Sequence, residues 1–106
     1  MLLHCIAMTL SESQKKYLRG LGHGLKPVIM VGDKGLGESL LAEYESVLDH
    51  HELIKVKVRA GDRAARDAMI DELCSRAGAL LVQRIGNVAL LYKENPEKKK
   101  IQLPRS

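Results

Sequence analysis

Hydrophobic positions recur every three or four residues in three stretches of this chain, and at every second residue or in unbroken runs in four others. That alternation of periods predicts seven elements. Ser11 and Gln14 have the spacing of a capping box, and Tyr17, Leu18, Leu21 and Leu25 fall on one side of the helix they open, which ends around Gly22 or Gly24. Pro27-Val28-Ile29-Met30-Val31 reads as a short buried strand. Glu38 to His50 then repeats Leu40, Leu41, Tyr44, Val47 and Leu48 at helical spacing, with Glu43, Glu45 and Asp49 outward. From Leu53 to Arg59 the alternation is strict: Ile54, Val56 and Val58 face one side of a strand, Lys55, Lys57 and Arg59 the other. Asp62 is the predicted N-cap of a third helix with Ala65, Met69, Leu73, Cys74 and Ala77 inward and Gly78 just past its end. Two final strands, Ala79 to Ile85 and Val88 to Tyr92, are joined by the hairpin signal Gly86-Asn87.

The resulting order, αβαβαββ, predicts an α/β single-domain sandwich: a mixed four-stranded sheet packed with helices that bury at least one of its faces. At 106 residues the chain suits one core and is too short for a substrate domain beside a cofactor domain. Residues 1–8 are expected to lie outside the fold, as an extension with Met8 the natural start. They lack the basic leader of a signal peptide. Residues 9–95 are the expected domain, and 96–106, with Lys98, Lys99 and Lys100, a basic tail.

Composition narrows the chemistry. Hydrophobic residues make up 45% of the chain, but there are three Tyr and no Phe or Trp, so modules that stack bases on sheet aromatics are disfavoured. The net charge of +4 and pI near 9.2 permit a polyanion partner without requiring one. Cys5 and Cys74 show no C-x-x-C spacing, and His4, His23, His50 and His51 show no ligand spacing, so no metal, cofactor or disulfide framework is expected and a cytoplasmic setting is the simplest. No base, nucleophile and oxyanion donor can be grouped, and the expectation is a protein that is not an enzyme. No stretch is long enough to span a membrane.

The candidate site is the turn between the first strand and the second helix. Gly32-Asp33-Lys34-Gly35 puts a G-x-x-G turn with a lysine inside it at a helix N-terminus, where free N–H groups and the helix dipole favour negative charge. Glycines there can take backbone angles closed to other residues and let a phosphate backbone approach. The turn completes neither a Walker loop nor a Rossmann fingerprint, which disfavours nucleotide hydrolysis. Taken alone, the spacing also fits an ordinary tight turn. Lys15, Lys16 and Arg19 on the first helix, Lys26 before the first strand, and the row Lys55, Lys57 and Arg59 add candidate cations. A solvated helix face and a lysine-protected strand are the competing readings for them.

Four blocks in this order resemble the CRM domain (chloroplast RNA splicing and ribosome maturation) in its stand-alone bacterial, YhbY-type form: Ser13 to Arg19, Lys26 to Leu36, His51 to Val58 and Gly86 to Lys93. The resemblance runs from about Thr9 through Tyr92. It implies a fold similar to the C-terminal domain of bacterial translation initiation factor three. It further implies an RNA-binding protein associated with precursors of the large (50S) ribosomal subunit, with large-subunit ribosomal RNA and ribosomal proteins as partners. Apart from the resemblance, a monomer is expected. By the same resemblance the RNA-contacting loop falls on Gly32, Asp33, Lys34 and Gly35, and the basic surface on Lys15, Lys16, Arg19, Lys55 and Lys57. Lys26 and Arg59 come from the charge pattern alone. Asp33 is an acid inside the loop and shifts weight to Lys34 and the basic surface. The K-homology domain also has a G-x-x-G loop, but there it joins two helices. A protein-interaction module whose basic face docks an acidic partner is the alternative function.

Overall fold

The structure is a computed structural model, and it describes residues 10–32, 35–59, 61–95, 97 and 101. Among these residues three helices and four strands follow in the expected order: α1 (Glu12–Gly22), β1 (Pro27–Val31), α2 (Glu38–His51), β2 (Leu53–Val58), α3 (Arg63–Ala77), β3 (Leu80–Ile85) and β4 (Val88–Tyr92). Local signals set the helix ends. Ser11 Oγ accepts from the Gln14 N–H at 3.1 Å while Gln14 Oε1 accepts from the Ser11 N–H at 3.0 Å, closing the capping box. Asp62 Oδ1 caps α3 through the Ala65 N–H at 2.9 Å, and Gly78 follows α3 in the left-handed region.

The sheet order is β1-β2-β4-β3, with β1 parallel to β2 and the other pairs antiparallel, so the sheet is mixed as expected. Its two faces are covered unequally. Against one face α2 and α3 bury the larger core, in which Ile29, Val31, Ile54, Val56 and Val58 of the sheet meet Leu41, Tyr44, Leu48, Ile70 and Leu73 of the helices. The Tyr44 hydroxyl donates to the Leu73 carbonyl at 2.8 Å, tying α2 to α3 inside that core. Against the other face α1 covers a smaller cluster, in which Leu18 meets Leu53, Val82, Leu90 and Tyr92, with Leu10 and Ile101 at its edge.

Two helix stripes differ from the sequence reading. Of the four predicted inward residues only Leu18 is buried: Tyr17 and Leu21 of α1 are about two-fifths exposed, and Leu25, beyond the end of α1, is exposed as well. The reason is Gly22: a Cβ there would lie 2.8 Å from Leu90 Cδ2, so the glycine, four residues after Leu18, is itself the contact point with the sheet. The helix face through Leu18 and Gly22 therefore packs, and the Tyr17 and Leu21 face turns to solvent. On α3 the buried residues are Ile70, Leu73 and Ala77, with Met69 and Cys74 only partly covered.

Burial pushes the Tyr92 phenol up to about 12, helped by the Glu52 and Glu94 carboxylates, and raises Tyr44 further. For a tyrosine raised in the folded state, the contribution to stability is complete below its ordinary value of 10 and is lost as pH climbs toward the folded value. Urea midpoints followed by circular dichroism are therefore expected to fall from about pH 10 upward. The phenolate absorbance of Tyr44 and Tyr92 should rise only together with that unfolding. Ionisation of both near pH 10 with the fold intact would contradict the buried placement.

Candidate nucleic-acid interface

The turn after β1 is closed by one backbone bond, Gly35 N–H to Gly32 carbonyl, at 3.0 Å. Gly35 has φ +72°, where a side chain is strained, so this position requires glycine. Gly32 differs from expectation: its φ is not positive, and a Cβ there would meet nothing within 4 Å. It contributes open backbone rather than unusual angles. Asp33 and Lys34, predicted at the tip, lie outside the described residues. The N-cap of α2 is Gly37, which offers no side chain to the first N–H groups of the helix, and Glu38 occupies the first turn. Between the turn and this helix start lies an open cleft of about 820 Å³ lined by Met30, Gly32, Gly35, Gly37 and the first residues of α2.

The lysine row of β2 points to the face that α1 covers. Leu53 on that row is buried under α1, whereas Lys55 and Lys57 continue beyond the helix and are half-buried. Their neighbours in register are Pro27 and Met30 of β1 and Leu90 and Val88 of β4, so each lysine stem rises from apolar sheet. Arg19 near the end of α1 and Lys55 line one cavity of about 260 Å³. Its floor includes Pro27, Val88, Leu90 and Ile85, and its rim includes His23 and Gln83. Ile85 is 68% exposed within that floor, and Met30, 52% exposed beside Lys57 in register, extends it past the cavity. The arrangement is a half-open sheet face with cations at its rim, continuous through Met30 with the glycine cleft.

The remaining predicted cations are more scattered. Lys15 is within 3.8 Å of Glu12 in an exposed pair, a contact worth little by itself. Lys16 lines a separate shallow surface beside Tyr17 and Leu21. Lys26 is exposed in the loop before β1, and Arg59, just past β2, anchors its N–H on the Val31 carbonyl at 2.8 Å. The structure thus brings Arg19, Lys55 and Lys57 together along one face and leaves Lys15, Lys16 and Lys26 off it. His23 and Gln83 were missed by the sequence reading. His23 was legible, since it stands four residues after Arg19 and shares its helix side; Gln83 interrupts an apolar strand and gave a weaker signal.

Cys74 is not set up as a nucleophile. Burial and nearby Asp71 push the Cys74 thiol up, against thiolate formation. Among the described residues no three His, Cys, Asp or Glu side chains come together as a metal site, and no helix is long and apolar enough to cross a membrane.

Comparison with known proteins adds four findings. The model of the CRS1/YhbY (CRM) domain family matches residues 10–93. The chain is 50% identical over 97 residues to an RNA-binding protein of Haemophilus influenzae, covering 92% of this chain and 97% of that one. It is 48% identical over 93 residues to a protein of Pseudomonas aeruginosa named "Probable RNA-binding protein", covering 88% and 89%. The solution structure of a Staphylococcus aureus protein described as a candidate RNA-binding protein superposes with TM-score 0.76 at 33% identity, over 91% of this chain and all of the other.

Proposed function

Because the chain belongs to the CRS1/YhbY (CRM) domain family, we propose that it is an RNA-binding protein whose sheet face and glycine turn hold an RNA backbone on precursors of the large ribosomal subunit. The observation that carries this reading is the half-open face itself. Arg19, Lys55 and Lys57 rim an apolar floor that runs into a cleft at a helix N-terminus without a side-chain cap. Phosphates suit the rim and the helix start, and the apolar floor of Met30, Val88 and Ile85 offers unstacked bases a dry surface in place of aromatic stacking. Lys34 and Asp33 belong to the proposed contact through their place in the turn. Lys26 and Arg59 flank β1 and β2 on the approaches to it, and Lys15 and Lys16 supply a second, outer row on α1. The binding is a docking event without chemistry on the RNA, and ribosomal proteins in the particle are proposed as neighbours.

The test is a pair of measurements. If about four to six cations neutralise phosphates, log K for RNA should fall against log salt with a slope of very roughly −3 to −5. In a sucrose gradient of cell lysate the protein should travel with large-subunit precursors at low salt and leave them as salt is raised. A flat salt dependence, or protein that stays at the top of the gradient at every salt, would contradict the RNA-directed reading and favour an acidic protein partner.

A further inference from the structure

A second group of cations lies outside the surface just described. Arg63 and Arg66 in the first turn of α3, with Arg84 and Gly86 at the β3–β4 hairpin, line a cavity of about 380 Å³. Two of the guanidinium groups are held in place. Arg66 Nη1 donates to the Gly61 carbonyl at 3.1 Å, and Arg84 pairs with Asp67. Yet Nε of Arg66 and Nε of Arg84, both shielded from solvent, have no acceptor among the described residues. Arg63 is exposed and has no ion-pair partner among them. Of the nearby carboxylates, Asp67 is paired with Arg84, and Asp62, which caps the helix through the Ala65 N–H, is one negative charge against the two positive charges of Arg63 and Arg66. Positive charge is left over.

The placement also runs against local helix electrostatics. The first turns of α1 and α2 carry Glu12 and Glu38, whereas that of α3 carries no acid and two arginines. Cations at the positive end of a helix oppose its dipole, and the single Asp62 carboxylate at the N-cap offsets only part of the two arginines. A local rule broken in this way marks a place where another requirement prevails. The cavity is also next to the glycine turn. A Cβ at Gly35 would lie 3.9 Å from Met69 Cε of α3, the Val31 carbonyl accepts from the Arg59 N–H, and the Asn87 carbonyl of the hairpin accepts from the Val58 N–H at 2.7 Å. The turn, the N-terminal half of α3 and the hairpin thus share one end of the sheet.

We propose that the cavity between Arg63, Arg66 and Arg84 holds a phosphate group of the RNA backbone, so that the strand leaving the glycine turn crosses the first turn of α3 toward the hairpin. The proposal rests on the RNA-binding reading above. Guanidinium forks match phosphate oxygens in pairs, which three lysines would not do as well. The bound phosphate offsets the positive charge of Arg63 and Arg66 that Asp62 leaves over.

The test compares wild type with Arg63→Gln combined with Arg66→Gln, leaving Arg84 because its pair with Asp67 joins α3 to β3. Binding of a labelled RNA hairpin with single-stranded flanks is followed by fluorescence anisotropy over about 50 to 200 mM salt. The double variant should bind more weakly at every salt and with a log–log slope shallower by about 1. In wild type, the Nε–H resonances of Arg63 and Arg66 should move on adding RNA. If the double variant is misfolded by circular dichroism, Arg63→Gln alone, at an exposed position, must still show the shallower slope. An unchanged slope, with Lys55→Gln and Lys57→Gln still weakening binding, overturns this subsite and leaves the RNA reading standing. Resonances that move with inorganic phosphate but not with RNA overturn it too, as a free-anion site. Wild type that binds RNA without salt dependence overturns both.

Discussion

Glu52→Ala is expected to lower the unfolding free energy by about 3 kcal/mol, from two buried donors left without their acceptor. Glu52 follows α2 directly, is fully buried, and has φ +64°, the one positive φ among the described non-glycine residues. Its carboxylate reaches across to the end of the chain. Oε2 accepts from the Asn95 N–H at 2.6 Å and Oε1 from the Ile101 N–H at 2.8 Å, while its backbone carbonyl accepts from the Lys93 N–H at 2.8 Å. These bonds hold Lys93, Asn95 and Ile101 to the residue that ends α2, with Ile101 at the edge of the smaller core. Alanine carries the same backbone strain as glutamate, so the loss reports the carboxylate alone. Glu52→Gly removes the carboxylate and the strain together, and should be less destabilising than Glu52→Ala by about 1 kcal/mol. Urea unfolding followed by circular dichroism measures both. A midpoint for Glu52→Ala equal to wild type would show that the bonds to Asn95 and Ile101 do not contribute to stability. As an independent sign, Tyr92 should ionise closer to its ordinary value in either variant, because the Glu52 charge contributes to its shift.

Nothing in the sequence around Glu52 hints at this role. His51-Glu52 reads as a helix end before a strand, and the partners of the carboxylate lie 43 and 49 residues further on. What was legible is what local chemistry encodes. The Ser11–Gln14 capping box, the Asp62 cap, the strict alternation of β2 and the Gly86-Asn87 hairpin each depend on neighbours within a few positions, and each is where the sequence placed it. The inward face of α1 was misread because hydrophobic pattern counts side chains, and the decisive contact is made by Gly22, which has none. The same limit applies to the candidate interface. Periodicity put Lys55 and Lys57 on one side of a strand, but their apolar setting comes from Pro27, Met30, Val88 and Ile85, contributed by three other strands. The arginine cavity joins a helix start to a hairpin about 20 residues later in the chain, a separation at which no spacing rule operates.

Neutralising Arg19, Lys55 and Lys57 together by Arg19→Gln, Lys55→Gln and Lys57→Gln is expected to remove roughly half of the salt dependence of RNA binding. Each cation that neutralises one phosphate of a single strand contributes a slope of about 0.7, so three account for about 2 of an expected 4. Between about 50 and 200 mM salt, wild-type affinity should then fall roughly 250-fold and that of the triple variant only roughly 16-fold. At the low end of that range the variant should already bind far more weakly. Glutamine keeps part of each stem over the apolar sheet, so stability should change little for the two half-buried lysines. The control is Glu43→Gln on the exposed, acidic side of α2, away from the sheet face, which should leave the slope of RNA binding as in wild type. Had the lysine row served only to keep an exposed strand soluble, the triple variant would bind RNA with the wild-type slope and would instead aggregate more readily. Slope and solubility therefore separate the two roles that a row of lysines on a half-open sheet can have.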